Sequence, residues 1–326
     1  MGSRRWSFRT RSIAAAALLA VSASSCGNTA NPPSSPAASH PAPSPVATLA
    51  ATPKPTPRFR GTVKLADGRE LAARCAGAGT PTVFLEGGGI TPSIGDWPAS
   101  LTNDLAAITT VCWYSRGGGE GSSTVAHPRA WTDVLGDADQ LLAALHEQAA
   151  VDGPYIFLGW SMGGSIALGE VMEDPSRVAA LVILDTDFPV DFLAACPASG
   201  RPKAACQADY DADLEAQAIG ADIAHTIVPI PGTPVRIFTA MQDPNCSDPA
   251  PGQTLTWGIA GVQLTATSCA SMLTKVADKQ AAEWAALSSD FEQVRAQTSH
   301  NELPEFAHAG IASAIAEIVA AVRGAS

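Results

Sequence analysis

Residues 155–168 read YIFLGWSMGGSIAL. The first half is an apolar run of strand length, and the second half has the composition of a helix opening. Between them lies the pattern Gly159-x-Ser161-x-Gly163. A strand that turns directly into a helix must bend sharply, and glycines at these two positions let the flanking backbones approach each other. The pattern predicts that Ser161 lies at the tip of the bend.

This position suits a nucleophilic oxygen. The N–H of Met162 and the positive end of the helix dipole face the same point, and such donors stabilise the oxyanion that forms when a serine attacks a carbonyl carbon. A glycine-rich turn with a solvated serine would have the same sequence pattern. Because the preceding strand and the following helix are the context that the motif requires, we interpret Ser161 as a nucleophile.

The amino-terminal segment has the pattern of an export signal. Arginines between residues 4 and 11 precede an apolar run, Ile13 to Val21, which is too short for a permanent membrane span. We therefore predict a signal peptide at 1–25. Cys26 directly follows small residues and resembles the acylated cysteine of bacterial lipoprotein signals. Plain secretion, or a twin-arginine signal suggested by Arg4-Arg5, are the alternatives.

Composition narrows the function classes. Residues 26–60 are rich in Pro, Ala and Ser and are predicted to be a disordered linker, which leaves 61–326 for one α/β domain. A formal net charge of −11 argues against nucleic acid as a partner. Neither zinc-site spacing nor a phosphate-binding or dinucleotide-binding glycine pattern occurs, so we expect no metal and no cofactor. The oligomeric state is left open.

Apolar strands alternate with helical patterns along 61–326, which predicts a parallel sheet covered on both faces. Functional residues then belong beyond the carboxyl ends of the strands. The predicted strands are Thr62–Leu65, Glu70–Cys75, Thr82–Leu85, Ile108–Tyr114, the run before Ser161, Val178–Leu184, Val235–Ala240 and Phe291–Gln297; the predicted helices are Trp131–Ala150, the one after Ser161, Lys275–Leu287 and Ile311–Val322.

Five short motifs point to one family. They are FLEGGG at 84–89, DW at 96–97, VCWYSRG at 111–117, GWSMGG at 159–164 and SHN at 299–301. A chain with these motifs resembles an α/β-hydrolase over most of 61–326. The resemblance implies the α/β-hydrolase fold, with a mostly parallel eight-stranded sheet, helices on both faces and a Ser, acid, His triad in that chain order.

Two positions depart from the family pattern. Glu86 stands where many members have His before the oxyanion glycine, and Ser115 stands where many have Asp before the Arg-x-Gly turn. The first departure leaves the oxyanion donor open. The second is expected to alter only a local turn.

The base and the acid follow from chain order. His300 directly follows the last strand and is the expected base, with His308 in reserve. Asp243 ends the seventh strand, where the superfamily commonly places the acid. Asp185 and Asp187 end the sixth strand and are the alternative, although Asp185 could instead accept backbone N–H groups in its own loop. We predict Ser161, Asp243 and His300 as the triad.

The oxyanion hole and the lid are the remaining parts of the expected site. Met162 N–H supplies one donor, and Gly88 N–H is the expected second, with Gly87 as the alternative. A lid is expected at about 188–233, between strands six and seven. Trp160 either lines the acyl pocket or packs under this lid.

Disulfides are expected because the chain is exported and has an even number of cysteines beyond Cys26. In the strand order that the resemblance implies, the second and fourth strands are neighbours, which pairs Cys75 with Cys112. A short loop in the lid pairs Cys196 with Cys206, and Cys246 is left for Cys269. Free buried thiols are the competing interpretation.

We therefore expect an exported serine hydrolase that cleaves carboxylic esters of small-molecule acyl substrates. It would be held at the cell membrane by a lipid anchor if Cys26 is acylated. An amidase, peptidase or acyltransferase on the same triad is the nearest alternative. A non-catalytic binding protein of the cell envelope on a hydrolase scaffold is the alternative from another class.

Overall fold

The computed structural model describes residues 56–199, 201–259 and 262–325. The predicted signal peptide, Cys26 and the linker up to residue 55 lie outside the described residues, so those assignments stay predictions.

An eight-stranded sheet forms the centre of the described domain. Its strands are β1 Pro57–Lys64, β2 Glu70–Ala76, β3 Thr82–Glu86, β4 Val111–Tyr114, β5 Tyr155–Trp160, β6 Val178–Leu184, β7 Val235–Gln242 and β10 Phe291–Ser299. A separate hairpin contains β8 Leu255–Ile259 and β9 Val262–Ala266. The order in the sheet is β1-β2-β4-β3-β5-β6-β7-β10. β2 is antiparallel to β1 and β4, and all other pairs within this sheet are parallel. The expected fold class is confirmed.

Helices cover both faces of the sheet. They are α1 Ala99–Ile108, α2 Trp131–Ala149, α3 Met162–Glu173, α4 Phe192–Ala195, α5 Lys203–Ala212, α6 Leu214–Ala224, α7 Cys269–Ala285, α8 Leu303–Phe306 and α9 His308–Gly324. Successive strand side chains point to opposite faces, so Phe84 belongs to one buried apolar cluster and Val83 to the other. α2 and α3 pack in the first cluster, and α1 and α9 in the second.

The domain starts earlier than predicted. β1 begins at Pro57, inside the segment predicted to be linker. Phe59 packs against the core, and the Arg58 guanidinium donates to the carbonyl oxygen of Ala149 at 2.7 Å. These contacts explain why this proline-flanked segment is a strand, although its composition favoured disorder.

The six described cysteines pair as predicted. Cys75 and Cys112 are direct register partners on β2 and β4, with Cα atoms 4.1 Å apart. Cys196 pairs with Cys206 between β6 and β7. The third disulfide pairs Cys246, which follows β7, with Cys269, the first residue of α7.

Among the described residues, no individual helix combines the length and apolar character needed to cross a membrane. One bent pair, His300–Phe306 with His308–Gly324, meets the criteria by length and composition alone.

Candidate active site

Ser161 lies at the turn between β5 and α3 in a strained backbone conformation, with φ 55° and ψ −130°. The end of β6 and the residues after it hold this conformation in place. The Ser161 N–H donates to the Leu184 carbonyl oxygen at 3.0 Å, and the Thr186 hydroxyl donates to the Ser161 carbonyl oxygen at 2.7 Å. A strained residue persists only where its surroundings over-determine it, and such residues cluster at functional sites.

Glycines make this turn possible. A Cβ at Gly159 would lie 2.2 Å from the Gly163 carbonyl oxygen, and a Cβ at Gly163 would lie 2.0 Å from the Glu86 carbonyl oxygen. A Cβ at Gly164 would lie 2.1 Å from the Thr186 hydroxyl oxygen. Since real Cβ atoms do not approach other atoms this closely, β3, β5 and α3 can meet here only without side chains at these positions.

His300 follows β10 and makes a charge-assisted contact with an acid. Its Nδ1 lies 2.7 Å from Oδ2 of Asp185. The carboxylate can only accept, so Nδ1 carries the proton and donates, which leaves Nε2 as the basic nitrogen. The Trp160 indole N–H donates to the His300 carbonyl oxygen at 3.1 Å, and the two rings lie 5.7 Å apart. The imidazole is therefore oriented by Asp185 and supported by Trp160.

The acid that contacts His300 is Asp185 and not Asp243, which corrects the sequence-based prediction. Asp185 ends β6, and its Oδ1 accepts from the Ala240 N–H of β7 at 2.9 Å, so its side chain reaches across β7 towards β10. β7 continues to Gln242, two residues beyond the predicted end, and Asp243 caps the following turn by accepting from Asn245 N–H at 2.8 Å.

The other described histidines have partners elsewhere. His308, the reserve base, contacts Asp104 at 2.6 Å between α9 and α1. The remaining pairs are His127 with Glu215, His146 with Asp152 and His225 with Asp191. His300 is therefore the histidine that the structure places beside Ser161, since the two line the same cleft.

Two backbone segments lie close to the serine. Met162 is the first residue of α3, where N–H groups have no partner within the helix. A Cβ at Gly88 would lie 3.2 Å from Cβ of Ser161, whereas a Cβ at Gly87 would meet Pro92 instead. Gly88 is thus the glycine whose backbone approaches the serine.

Glu86 points away from this region into a buried polar cluster. Its carboxylate accepts from Tyr114 O–H at 2.8 Å and from Arg116 Nη1 at 2.9 Å. Burial raises the pKa of the Glu86 carboxyl, and the adjacent Arg116 charge opposes that rise. The second departure, Ser115, accepts from Ile94 N–H at 2.7 Å through its hydroxyl oxygen. Glu86 therefore contacts Tyr114 and Arg116 at the end of β4, and Ser115 contacts the loop after β3.

The cleft beside Ser161 has two lobes. The larger has a volume of about 730 Å³, and the segment between β6 and β7 contributes much of its wall. The smaller, of about 380 Å³, lies beside Trp160 and Gly88. Among the described residues, no group of three or more His, Cys, Asp or Glu side chains is arranged to hold a metal ion. Apolar or aromatic residues of the larger lobe include Phe188, Val190, Phe192, Ile219, Trp257, Leu273 and Val276.

Known proteins share parts of this sequence and its fold. The family model described as "Serine aminopeptidase, S33" matches residues 99–192, which include the Ser161 turn. No curated protein matches the sequence.

Three solved structures are similar over most of their length. Alpha/beta hydrolase domain-containing protein 10 from mouse has a TM-score of 0.55 at 15% identity, covering 81% of this chain and 99% of that one. A putative hydrolase from Agrobacterium vitis S4 has a TM-score of 0.55 at 18% identity, covering 80% and 98%. An enol-lactonase from Burkholderia xenovorans LB400 has a TM-score of 0.50 at 15% identity, covering 79% and 99%.

At these identities the structural likeness establishes the fold. Together with the family match across the Ser161 turn, these structures show that the chain has the α/β-hydrolase fold.

Proposed function

We propose that this protein is a serine hydrolase that cleaves carboxylic esters through Ser161, His300 and Asp185. The observation that carries the proposal is the 2.7 Å contact between His300 Nδ1 and Asp185 Oδ2, in the same cleft as a serine held at a strained strand-to-helix turn. A base oriented by a carboxylate is the arrangement that activates a serine hydroxyl.

The reaction has two halves. In the first, Ser161 Oγ attacks the ester carbonyl carbon while its proton passes to His300 Nε2, and Met162 and Gly88 N–H groups stabilise the oxyanion. The C–O bond to the alcohol then breaks, and His300 returns the proton to the leaving oxygen. In the second half, water attacks the acyl-enzyme with His300 as base. The carboxylic acid leaves and Ser161 regains its proton.

Substrate class follows from the cleft. The larger lobe has apolar side chains on part of its wall, among them Phe188, Ile219 and Trp257, and polar side chains on the rest. Such a lobe accommodates the apolar part of a small acyl ester, and pockets of this size are typical of small-molecule sites. No part of the proposed reaction requires a cofactor.

A panel of chromogenic substrates tests the ester assignment. Purified protein should hydrolyse p-nitrophenyl esters, and Ser161→Ala should lower kcat on the order of 10⁴-fold or more. Aminoacyl p-nitroanilides belong in the panel because the matching family model carries the name of an aminopeptidase. Preference for the anilides would replace the esterase assignment with the peptidase alternative, and turnover that survives Ser161→Ala would overturn both.

We also propose that the protein is exported and tethered through Cys26. Three disulfides within the described domain support an oxidising compartment. Labelled palmitate should be incorporated into the wild-type protein in cells and not into Cys26→Ala. Soluble, unlabelled wild-type protein would leave plain secretion as the answer.

A further inference from the structure

The loop after β3 is held by one buried side chain. Arg116 is 3% exposed, and its Nη2 donates to the carbonyl oxygens of Gly87, at 2.9 Å, and of Gly89. These two carbonyl groups flank Gly88, whose backbone approaches Ser161. A single guanidinium group therefore binds the glycine run on both sides of the proposed oxyanion donor.

Peptide geometry gives this clamp a consequence for Gly88. In a planar trans peptide, the C=O and N–H groups point in opposite directions. The peptide that joins Gly87 to Gly88 directs its carbonyl oxygen to Arg116, so its N–H is directed away from Arg116. Three consecutive glycines have no side chains of their own to restrict the backbone. The direction of the Gly88 N–H thus depends on an external partner.

Arg116 is itself fixed. Its Nη1 donates to Oε2 of Glu86, and Oε1 of Glu86 accepts from Tyr114 O–H. The same chain segment anchors the far end of the loop, because the Trp113 indole N–H donates to the Ile94 carbonyl oxygen at 3.1 Å. The end of β4 and the residue pair after it therefore hold the loop after β3 at two places, through Arg116 and through Trp113.

We propose that Arg116 is a positioning residue for the oxyanion hole and acts by orienting the Gly88 N–H. This inference rests on the proposed function. Arg116 acts through the Gly88 N–H, which stabilises the tetrahedral transition state. Because this donor is aimed at a developing oxyanion, losing its orientation lowers kcat and has little effect on substrate binding in the ground state.

The test removes the guanidinium without leaving a buried unpaired charge. Arg116→Met alone would strand the Glu86 carboxylate, so the variant is Glu86→Gln with Arg116→Met. Loss of an oxyanion donor costs about 10²- to 10³-fold, and we expect kcat to fall on the order of 10²-fold with KM nearly unchanged. A boronic acid, which forms a tetrahedral adduct on the serine, should lose affinity in parallel, while a carboxylate product should bind as before.

The control is a second contact between an arginine and a buried glutamate. Arg177 Nη2 contacts Glu170 Oε2 at 2.9 Å and makes no hydrogen bond to the glycine run. Glu170→Gln with Arg177→Met should show a similar change in thermal midpoint and keep its kcat. A kcat in the Glu86/Arg116 variant equal to that of this control would overturn the inference.

Two further variants keep the outcome decisive. If the double variant does not fold, Arg116→Lys takes its place, because lysine keeps the charge but has one nitrogen in place of the two that contact Glu86 and the glycine carbonyl groups. We expect its kcat to fall by roughly tenfold, and an unchanged kcat would overturn the inference. Turnover that persists in Ser161→Ala would instead reject the proposed function. The two failures are therefore distinguishable.

Discussion

At the scale of single residues, Asp185 connects the sheet to the site. Its backbone φ of 50° is one that aspartate tolerates better than most residues. Oδ1 accepts from the Ala240 N–H and Oδ2 contacts His300 Nδ1, so both carboxylate oxygens have fixed partners. An acid held in this way keeps the imidazole in one tautomer and stabilises the imidazolium that forms during attack.

Asparagine substitutions separate the two candidate acids. Asp185→Asn preserves size but places an amide against His300, so we expect kcat for a p-nitrophenyl ester to fall on the order of 10⁴-fold, as in other triads. Asp243→Asn should lower kcat by less than roughly tenfold, because this carboxylate accepts from the Asn245 N–H in its own turn and has no hydrogen bond to His300. The reverse ranking of the two variants would restore Asp243 as the acid.

The site could be predicted in part from the sequence. Ser161 and His300 were expected at strand ends, because each directly follows a recognisable strand. The choice between Asp185 and Asp243 depends on where β7 ends and how far a side chain reaches across it, which local sequence does not encode. Arg116 belongs to the Arg-x-Gly turn of a sequence motif, but the sequence does not indicate that it contacts the carbonyl oxygens of Gly87 and Gly89.

At the scale of elements, the contact between β3 and α3 fixes the serine turn against the glycine run after β3. A Cβ at Gly163 would lie 2.0 Å from the Glu86 carbonyl oxygen and 2.6 Å from that of Gly87. Both obstacles are backbone atoms in the sheet or at its edge, so neither can rotate aside. The closeness of these two elements therefore requires glycine at 163.

Gly163→Ala should lower the free energy of unfolding by about 1–3 kcal/mol, since it overpacks this contact. Activity should fall as well, because the displaced strand end leads directly into Gly88. Urea unfolding followed by circular dichroism measures the first effect.

Gly136→Ala is the matched control. A Cβ there has no neighbour within 4 Å in the interior of α2, and alanine should stabilise the protein by about 0.5–1 kcal/mol. Equal stability of the two variants would contradict the close contact.

Elements with strong apolar runs were predictable, and those held by tertiary contacts were not. β3, β5 and β6 are continuous apolar runs, and their predicted positions agree with the structure. α1 has no side-chain cap, and the strands of the β8–β9 hairpin are short and have no continuous apolar run, so neither was predicted.

At the scale of the whole molecule, a buried carboxyl makes stability depend on pH. Glu170 is fully buried in α3, and among the described residues its Oε1 has no hydrogen-bond partner. Burial raises its pKa well above the usual value, and the nearby Glu86 charge acts in the same direction. The folded protein thus holds this proton to higher pH than the unfolded chain does. The stabilising contribution of the neutral Glu170 carboxyl is complete below the pKa that Glu170 has in the unfolded chain. It is lost as pH rises through the pKa that Glu170 has in the folded protein.

Glu170→Gln should remove that loss. The amide oxygen can still accept from Arg177 but has no charge to bury. We expect the variant to match wild type in unfolding free energy near pH 4 and to exceed it increasingly towards pH 8, as measured by urea unfolding at each pH. A variant that is less stable than wild type by the same amount at every pH would show that Glu170 is ionised and paired throughout.

The central claim, that Ser161 is the nucleophile of a serine hydrolase, is tested most directly by locating a covalent adduct. Wild-type protein is treated with a fluorophosphonate, digested and analysed by peptide mass spectrometry. We predict one adduct on the peptide that contains Ser161, no adduct in Ser161→Ala, and loss of ester turnover in proportion to labelling. Continued turnover with Ser161 unlabelled, or an adduct on another residue that abolishes turnover, would contradict the account.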